Sequence, residues 1–177
     1  MRLPQDARAF AAEAYGSEEE LEHPAEVADL VRDAGGDDEL EAAAYLHDLV
    51  EDTNVELPQI AAELGSRVAC LVSAMTEDES ISDYAERKEE HRCRARDSGR
   101  DASLLFVADK LSNARRMRRG QKEPDAGKLR HYARTLSTMR AARPDLPLLD
   151  ELETELTDAR GEGLPVSAPG RRQDAPG

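Results

Sequence analysis

Apolar residues in this chain recur three and four positions apart, and nowhere do they alternate with polar ones over the length of a strand. Such spacing gives each segment one apolar helical stripe and leaves no pattern for a half-buried sheet. The reading is therefore an all-α, single-domain helical globule of roughly eight or nine helices. Its 177 residues suffice for one domain with a real core. Aromatics make up only 3% of the chain and Trp is absent, so that core must be built from Ala, Leu, Val and Met.

Helices are expected over about 6–15, 19–33, 37–50, 57–64, 66–75, 80–96, 101–118, 124–139 and 148–160. The breaks fall at Gly16-Ser17, Gly35-Gly36, Thr53-Asn54, Gly65, Gly99, Gly120 and the loop framed by Pro144 and Pro147. Residues 1–160 form the expected domain. Residues 161–177, rich in Gly, Pro and Ser without a period, read as a disordered tail.

The formal net charge of -14 repels the phosphate backbone and argues against a nucleic-acid polymer as partner. A small phosphorylated ligand is still admissible, because a metal and a few local bases reverse the field inside a pocket. Cys70 and Cys93 lack the paired spacing of a zinc site and read as reduced helix residues. The start, Met1 to Asp6, lacks the apolar core of a signal peptide. No run approaches the roughly 20 apolar residues that span a bilayer. A soluble cytoplasmic protein is expected, with no membrane partner; its oligomeric state is left open.

Some polar residues break the apolar stripes. His23 aligns with Val27 and Val31, and His47 lies beside Ala43, Ala44 and Val50. Asp48 follows about 100° round the helix. Asp109 ends the most apolar run, Leu104-Leu105-Phe106-Val107-Ala108. Burying a carboxylate is costly unless it is paired or bound to a metal. Each residue alone has a plain explanation: an inward histidine is commonly a hydrogen-bonded core residue, and Asp109 has Lys110 or Arg115 at hand. Jointly the pattern demands a separate partner for every inward carboxylate. Two imidazoles and two carboxylates would together hold one hard or borderline divalent cation.

Glu51 and Asp52 stand one turn beyond His47 and Asp48, placed to orient or deprotonate a water. Acids at a helix C-terminus oppose the macrodipole, which favours a functional reason for them. Lys110 adjoins Asp109, and Asn113, four residues on, shares its face. Arg115, Arg116, Arg118 and Arg119 form a basic cluster that helix-end electrostatics alone would account for. His91 and His131 read as surface residues, and Glu18-Glu19-Glu20 as a solvated helix start.

With these residues in view, the chain resembles the HD phosphohydrolase superfamily. It is most similar to the (p)ppGpp hydrolase domain of RelA/SpoT proteins and their small stand-alone relatives. The likeness covers about 7–140. It rests on His23-Pro24 with Val27-Ala28, on Ala42-Ala43-Ala44-Tyr45-Leu46-His47-Asp48-Leu49-Val50-Glu51-Asp52-Thr53, and on Ala108-Asp109-Lys110-Leu111-Ser112-Asn113. Thr76-Glu77-Asp78-Glu79 and Glu86-Arg87-Lys88 resemble the stand-alone members in particular.

The resemblance implies that His23, His47, Asp48 and Asp109 bind one Mn²⁺ and that Glu51 and Asp52 position the attacking water. Arg87, Lys88, Lys110 and Asn113 would face a small phosphorylated nucleotide, with the 3′-pyrophosphate of guanosine tetra- or pentaphosphate as the family substrate. The alternatives are a nucleotidase or pyrophosphohydrolase acting on another metabolite, and a helical protein that binds nucleotide or metal without turnover. One stretch departs from the family: where members carry a basic, Gln-containing turn and a Tyr, Gly16 to Glu22 is short and acidic. A cationic wall expected beside the substrate is thereby removed from that position.

Overall fold

The structure, a computed structural model, describes residues 3–123 and 125–161. All regular structure among the described residues is helical: α1 (Leu3–Tyr15), α2 (Glu18–Asp33), α3 (Asp38–Leu46), α4 (Leu49–Asp52), α5 (Leu57–Leu64), α6 (Ser66–Met75), α7 (Tyr84–Asp97), α8 (Arg100–Arg118), α9 (Ala126–Ala142) and α10 (Leu149–Gly161). The tail expected over 161–177 lies, apart from the backbone of Gly161, outside the described residues.

α8 is the axis of the fold. Every residue from Ala102 to Ala114 is buried, because α2, α3, α6, α7, α9 and α10 all pack against it. A helix enclosed on all sides cannot have a polar face turned to water, so Asp109, Lys110, Ser112 and Asn113 must find partners inside. α3 lies across α1, α2 and α6. Its Ala42, Ala43 and Ala44 have no exposed surface, and such small side chains let neighbouring backbones approach closely.

Helix ends follow local chemistry. The side chains of Ser17, Asp37, Asp83 and Asp125 accept bonds from backbone N–H groups in the first turns of α2, α3, α7 and α9. Asp125 stands just outside its helix, which starts at Ala126; Pro124, expected to open it, lies outside the described residues. α6 begins at Ser66 as expected, and α8 begins at Arg100, one residue before the expected start. The charged helix expected from Ser80 begins at Tyr84, after a turn in which Ser80 N–H and Oγ both bond Asp78.

The helix expected to run through Val50 is broken after Leu46, giving the extra short element α4. The imidazole of His47 causes a local competition: its Nδ1 donates to the carbonyl of Ala44 at 2.8 Å. In an unbroken helix that carbonyl would serve the amide of Asp48. Asp48 then starts a new turn, with its carbonyl accepting from the Glu51 and Asp52 amides, both at 3.0 Å. Among the described residues no helix is long and apolar enough to cross a membrane.

Candidate metal centre and cleft

The structure brings together residues from three separate parts of the chain. His23, in the second turn of α2, and Asp109, midway along α8, meet at 3.1 Å between Nε2 and Oδ1. His47 Nε2 lies 3.2 Å from Asp48 Oδ2 and 3.7 Å from Asp109 Oδ1. Asp48 Oδ2 is also 3.8 Å from His23 Nε2. Ligand atoms of His23, His47 and Asp109 all fall within 4.8 Å of one another, an arrangement able to hold a metal ion. The two imidazoles stand edge to face, with centroids 5.2 Å apart.

Hydrogen bonding around this group fixes which nitrogens face it. His47 Nδ1 must carry a proton to bond Ala44 O, so its Nε2 presents a lone pair. That Nε2 is buried without a hydrogen-bond partner. Around His23 a relay does the same work. Ser112 Oγ donates to Glu26 Oε2 at 2.8 Å, leaving its lone pairs to accept from His23 Nδ1 at 3.0 Å. The second Nε2 therefore also turns a lone pair toward Asp109. Two lone-pair nitrogens against two carboxylates repel unless a cation lies among them, and an N₂O₂ donor set suits a borderline or hard divalent ion.

The electrostatics point the same way. Burial works against a charged His47, but Asp48 and Asp109 outweigh it and raise its pKa well above the usual imidazole value. Burial also opposes ionisation of Asp109. The positive charge of Lys110, with the His23 and His47 imidazoles close by, overcomes it and holds the carboxyl well below its usual range. Lys110 pairs directly with Asp109 Oδ2, and its ammonium lies 4.3 Å from the centroid of the Phe106 ring. Asn113 Nδ2 donates to Asp109 Oδ1 at 2.5 Å, as their spacing on one face suggests. Lys110 is thus the partner of Asp109 and Arg115 is not.

Glu51 and Asp52 flank the group from α4. Burial and the neighbouring negative charge of Asp48 raise the pKa of both carboxyls. For Glu51 a bond from the Glu77 amide, 2.6 Å to its Oε1, works in the opposite direction. Arg87 and Lys88 converge on the same loop. Arg87 Nε donates to Glu77 Oε2 at 2.9 Å, and Lys88 pairs with Glu77 Oε1. Arg87 and Lys88 are accordingly gathered beside Glu51 and held by an acid.

A cavity of about 510 Å³ opens over the metal-competent group. His23, Pro24, Asp48 and Asp52 line one part of it, Tyr15 and Glu20 another, and Arg116, Gln121 and Lys122 the rest. Tyr15, Glu20 and Asp52 also border an adjoining cavity of about 490 Å³. Glu20, read from sequence as part of a solvated helix start, is thus a cleft residue. Tyr15, its hydroxyl buried without a partner, is another that the sequence did not mark.

Ser112 and Glu26 were likewise not marked as functional. Their signal was available: Ser112 lies one turn after Asp109, and Glu26 one turn after His23. Gln121 and Lys122 sit in a loop, where no periodicity points to them.

His91 and His131 are not surface residues. They are 3% and 5% exposed, packed edge-on against Phe106 from α7 and α9. Sequence reasoning failed here because both helices are charged enough to hide a narrow inward face.

Residues 5–138 match the HD domain. This chain belongs to the HD-domain family. It is an HD-domain phosphohydrolase, with the fold of the RelA/SpoT hydrolase domain that its sequence resembles. Among solved structures, the fold matches a metazoan ortholog of SpoT, a protein that hydrolyzes ppGpp and plays a role in starvation responses. The TM-score is 0.71 at 24% identity, over 93% of this chain and 97% of that one. It also matches lmo0812 from Listeria monocytogenes EGD-e, with a TM-score of 0.66 at 27% identity, over 76% of this chain and 93% of that one. No curated protein matches the sequence.

Proposed function

We propose that this HD-domain protein uses one divalent metal, Mn²⁺ first among candidates, to hydrolyse a small phosphorylated nucleotide, and that the 3′-pyrophosphate of guanosine tetraphosphate is the first substrate to try. The observation that carries the reading is the pair of imidazole Nε2 lone pairs turned toward Asp48 and Asp109 by fixed bonds on their opposite nitrogens. His23, His47, Asp48 and Asp109 would hold the ion. When bound, such an ion lowers the pKa of water and neutralises charge on a phosphoryl group.

The chain's own residues supply the rest. Glu51 and Asp52, whose pKa values are raised by burial and by the charge of Asp48, are suited to accept and return a proton near the reacting phosphorus. The amide of Glu77 holds the Glu51 carboxylate in one orientation. Lys110 keeps Asp109 ionised, and Asn113 donates to it beside the cleft. Arg87 and Lys88 would meet the substrate's more distant phosphates once drawn from Glu77. Unpaired Cys70 and Cys93, with the acidic surface, support a cytoplasmic setting.

A second reading, hydrolysis of a different phosphorylated metabolite, is favoured by one observation: Glu20 stands in the cleft where a phosphate-rich ligand would want a cation. The test is phosphate and pyrophosphate release by metal-stripped, Mn²⁺-reloaded protein. The panel holds ppGpp and common nucleoside mono-, di- and triphosphates, with Asp109→Ala as blank. Pyrophosphate from ppGpp, absent in the blank, is the expected result. Turnover of another compound only would keep the chemistry and replace the substrate. A protein that binds Mn²⁺ yet turns over nothing would contradict the hydrolytic reading.

A further inference from the structure

The loop between α6 and α7 is tied down through its main chain. Arg94 Nη2 donates to the carbonyl of Thr76 at 2.5 Å, and Arg87 Nη1 to the carbonyl of Ile81 at 2.8 Å. Asp78 accepts from the amide and the hydroxyl of Ser80, and Asp83 caps α7. None of these bonds uses the side chain of Glu77. That side chain instead takes two cations, Arg87 Nε at 2.9 Å and the ammonium of Lys88. All three side chains are partly buried, so their attraction is less screened than that of a surface pair.

The main chain of Glu77 does a different job. Its amide donates to Glu51 Oε1 at 2.6 Å. Through separate groups, one residue thus touches both cations expected to meet the substrate and an acid expected to handle a proton. Burial works against charge on the Glu77 carboxyl, but Lys88 and then Arg87 outweigh it and hold its pKa below the usual value. It is therefore ionised at neutral pH and stands as a competitor for both cations. A further donor lies close by. His91 Nδ1 is 3.9 Å from Glu77 Oε1, and the buried ring has no hydrogen-bond partner at either nitrogen. A neutral imidazole carries one N–H, so a carboxylate that gives up Lys88 has another donor within a short movement.

We infer that Glu77 is a positioning residue whose carboxylate competes with an anionic ligand for Arg87 and Lys88, and so limits how tightly the protein takes its substrate, while its main-chain amide serves Glu51 independently. This rests on the reading above that Arg87 and Lys88 meet the substrate. It concerns binding and not the chemical step. An anion must displace a bonded carboxylate before it gains either cation, so weakly charged ligands are turned away. A merely structural ion pair would act in the opposite sense: its loss would loosen the loop and weaken binding.

The test is calorimetric binding of inorganic pyrophosphate at constant free Mn²⁺. The proteins are the wild type, Glu77→Gln, Glu77→Ala, and Glu79→Gln, which removes the same charge from an exposed position on the same loop. Both Glu77 variants keep the amide that serves Glu51. They should bind pyrophosphate about fivefold more tightly, the upper end for one such ion pair. Glu79→Gln should bind it as the wild type does, and adding Lys88→Gln to Glu77→Gln should abolish the gain. For any substrate turned over, the gain should appear as a lower KM. Unchanged or weaker binding in both Glu77 variants overturns the inference. So does an equal gain in Glu79→Gln, which would reduce the effect to net charge, or a wild type and variants that bind no pyrophosphate. If the Glu77 variants bind more tightly but no panel compound is hydrolysed, the competing carboxylate stands and the hydrolytic reading falls.

Discussion

Each of the two inward imidazoles has one nitrogen committed to a neighbour, and that commitment decides what the other nitrogen can do. For His47 the neighbour is a backbone carbonyl three residues back, so its orientation is built into the end of α3. For His23 it is the hydroxyl of Ser112, itself held by Glu26. Ser112→Ala should leave the fold intact and let the His23 ring choose its tautomer. Mn²⁺ affinity is then expected to fall by about 10- to 100-fold, read by competition against a coloured chelator. An unchanged affinity would mean that the relay plays no part in holding His23. The histidines and aspartates themselves were legible in the sequence, because each interrupts an apolar stripe. The relay was only half legible: Ser112 follows Asp109 by one turn and Glu26 follows His23 by one turn, but that spacing gives a shared face and not the meeting of the two side chains across helices.

At the scale of elements, α7 and α9 each carry a histidine against Phe106, and neither histidine is free to ionise. Burial, then the charge of Lys110, pushes the pKa of His91 down to about 3 and that of His131 to about 2. Between those values and the ordinary value of 6.5, the unfolded chain takes up protons that the folded chain refuses. Stability therefore falls as pH is lowered from 6.5, by about 1.4 kcal/mol per pH unit for each fully neutral histidine. Urea unfolding of the wild type and His91→Gln between pH 7 and pH 5 checks this: the variant should lose stability less steeply. Parallel slopes would mean that His91 ionises freely in the folded protein.

The same pair shows where sequence reading stops. The stripes of α2, α3 and α8 name their inward faces plainly, since Ala, Leu and Val dominate them. In α7 only His91, Arg92 and Ala95 are buried, so the buried face is itself polar and leaves no apolar period to find. The break between α3 and α4 was hidden for a related reason. It is set by a side-chain bond to the backbone, and the apolar spacing runs straight through it.

Over the whole molecule, the acidic composition and the phosphate chemistry are reconciled by separation in space. The net charge of -14 keeps the surface negative. The cations Lys110, Arg116 and Lys122 are brought inward by α8 and the loop that follows it, to the metal-competent group and the cleft beside it. Fold class and the metal-competent group could be anticipated from spacing and resemblance. The walls of the cleft could not, because Tyr15, Glu20, Gln121 and Lys122 meet only after α1, α2 and the loop following α8 have packed.

Two imidazoles and two carboxylates of this chain are proposed to hold one metal ion, with the neighbouring acids of α4 serving the reaction and not the ion. Electron paramagnetic resonance titration of metal-stripped protein with Mn²⁺ separates the two roles. One tightly held Mn²⁺ per chain is expected in the wild type and in the double variant Glu51→Gln, Asp52→Asn, and its loss in Asp109→Ala. Tight binding that survives Asp109→Ala, or that disappears in the double variant, would contradict the assignment.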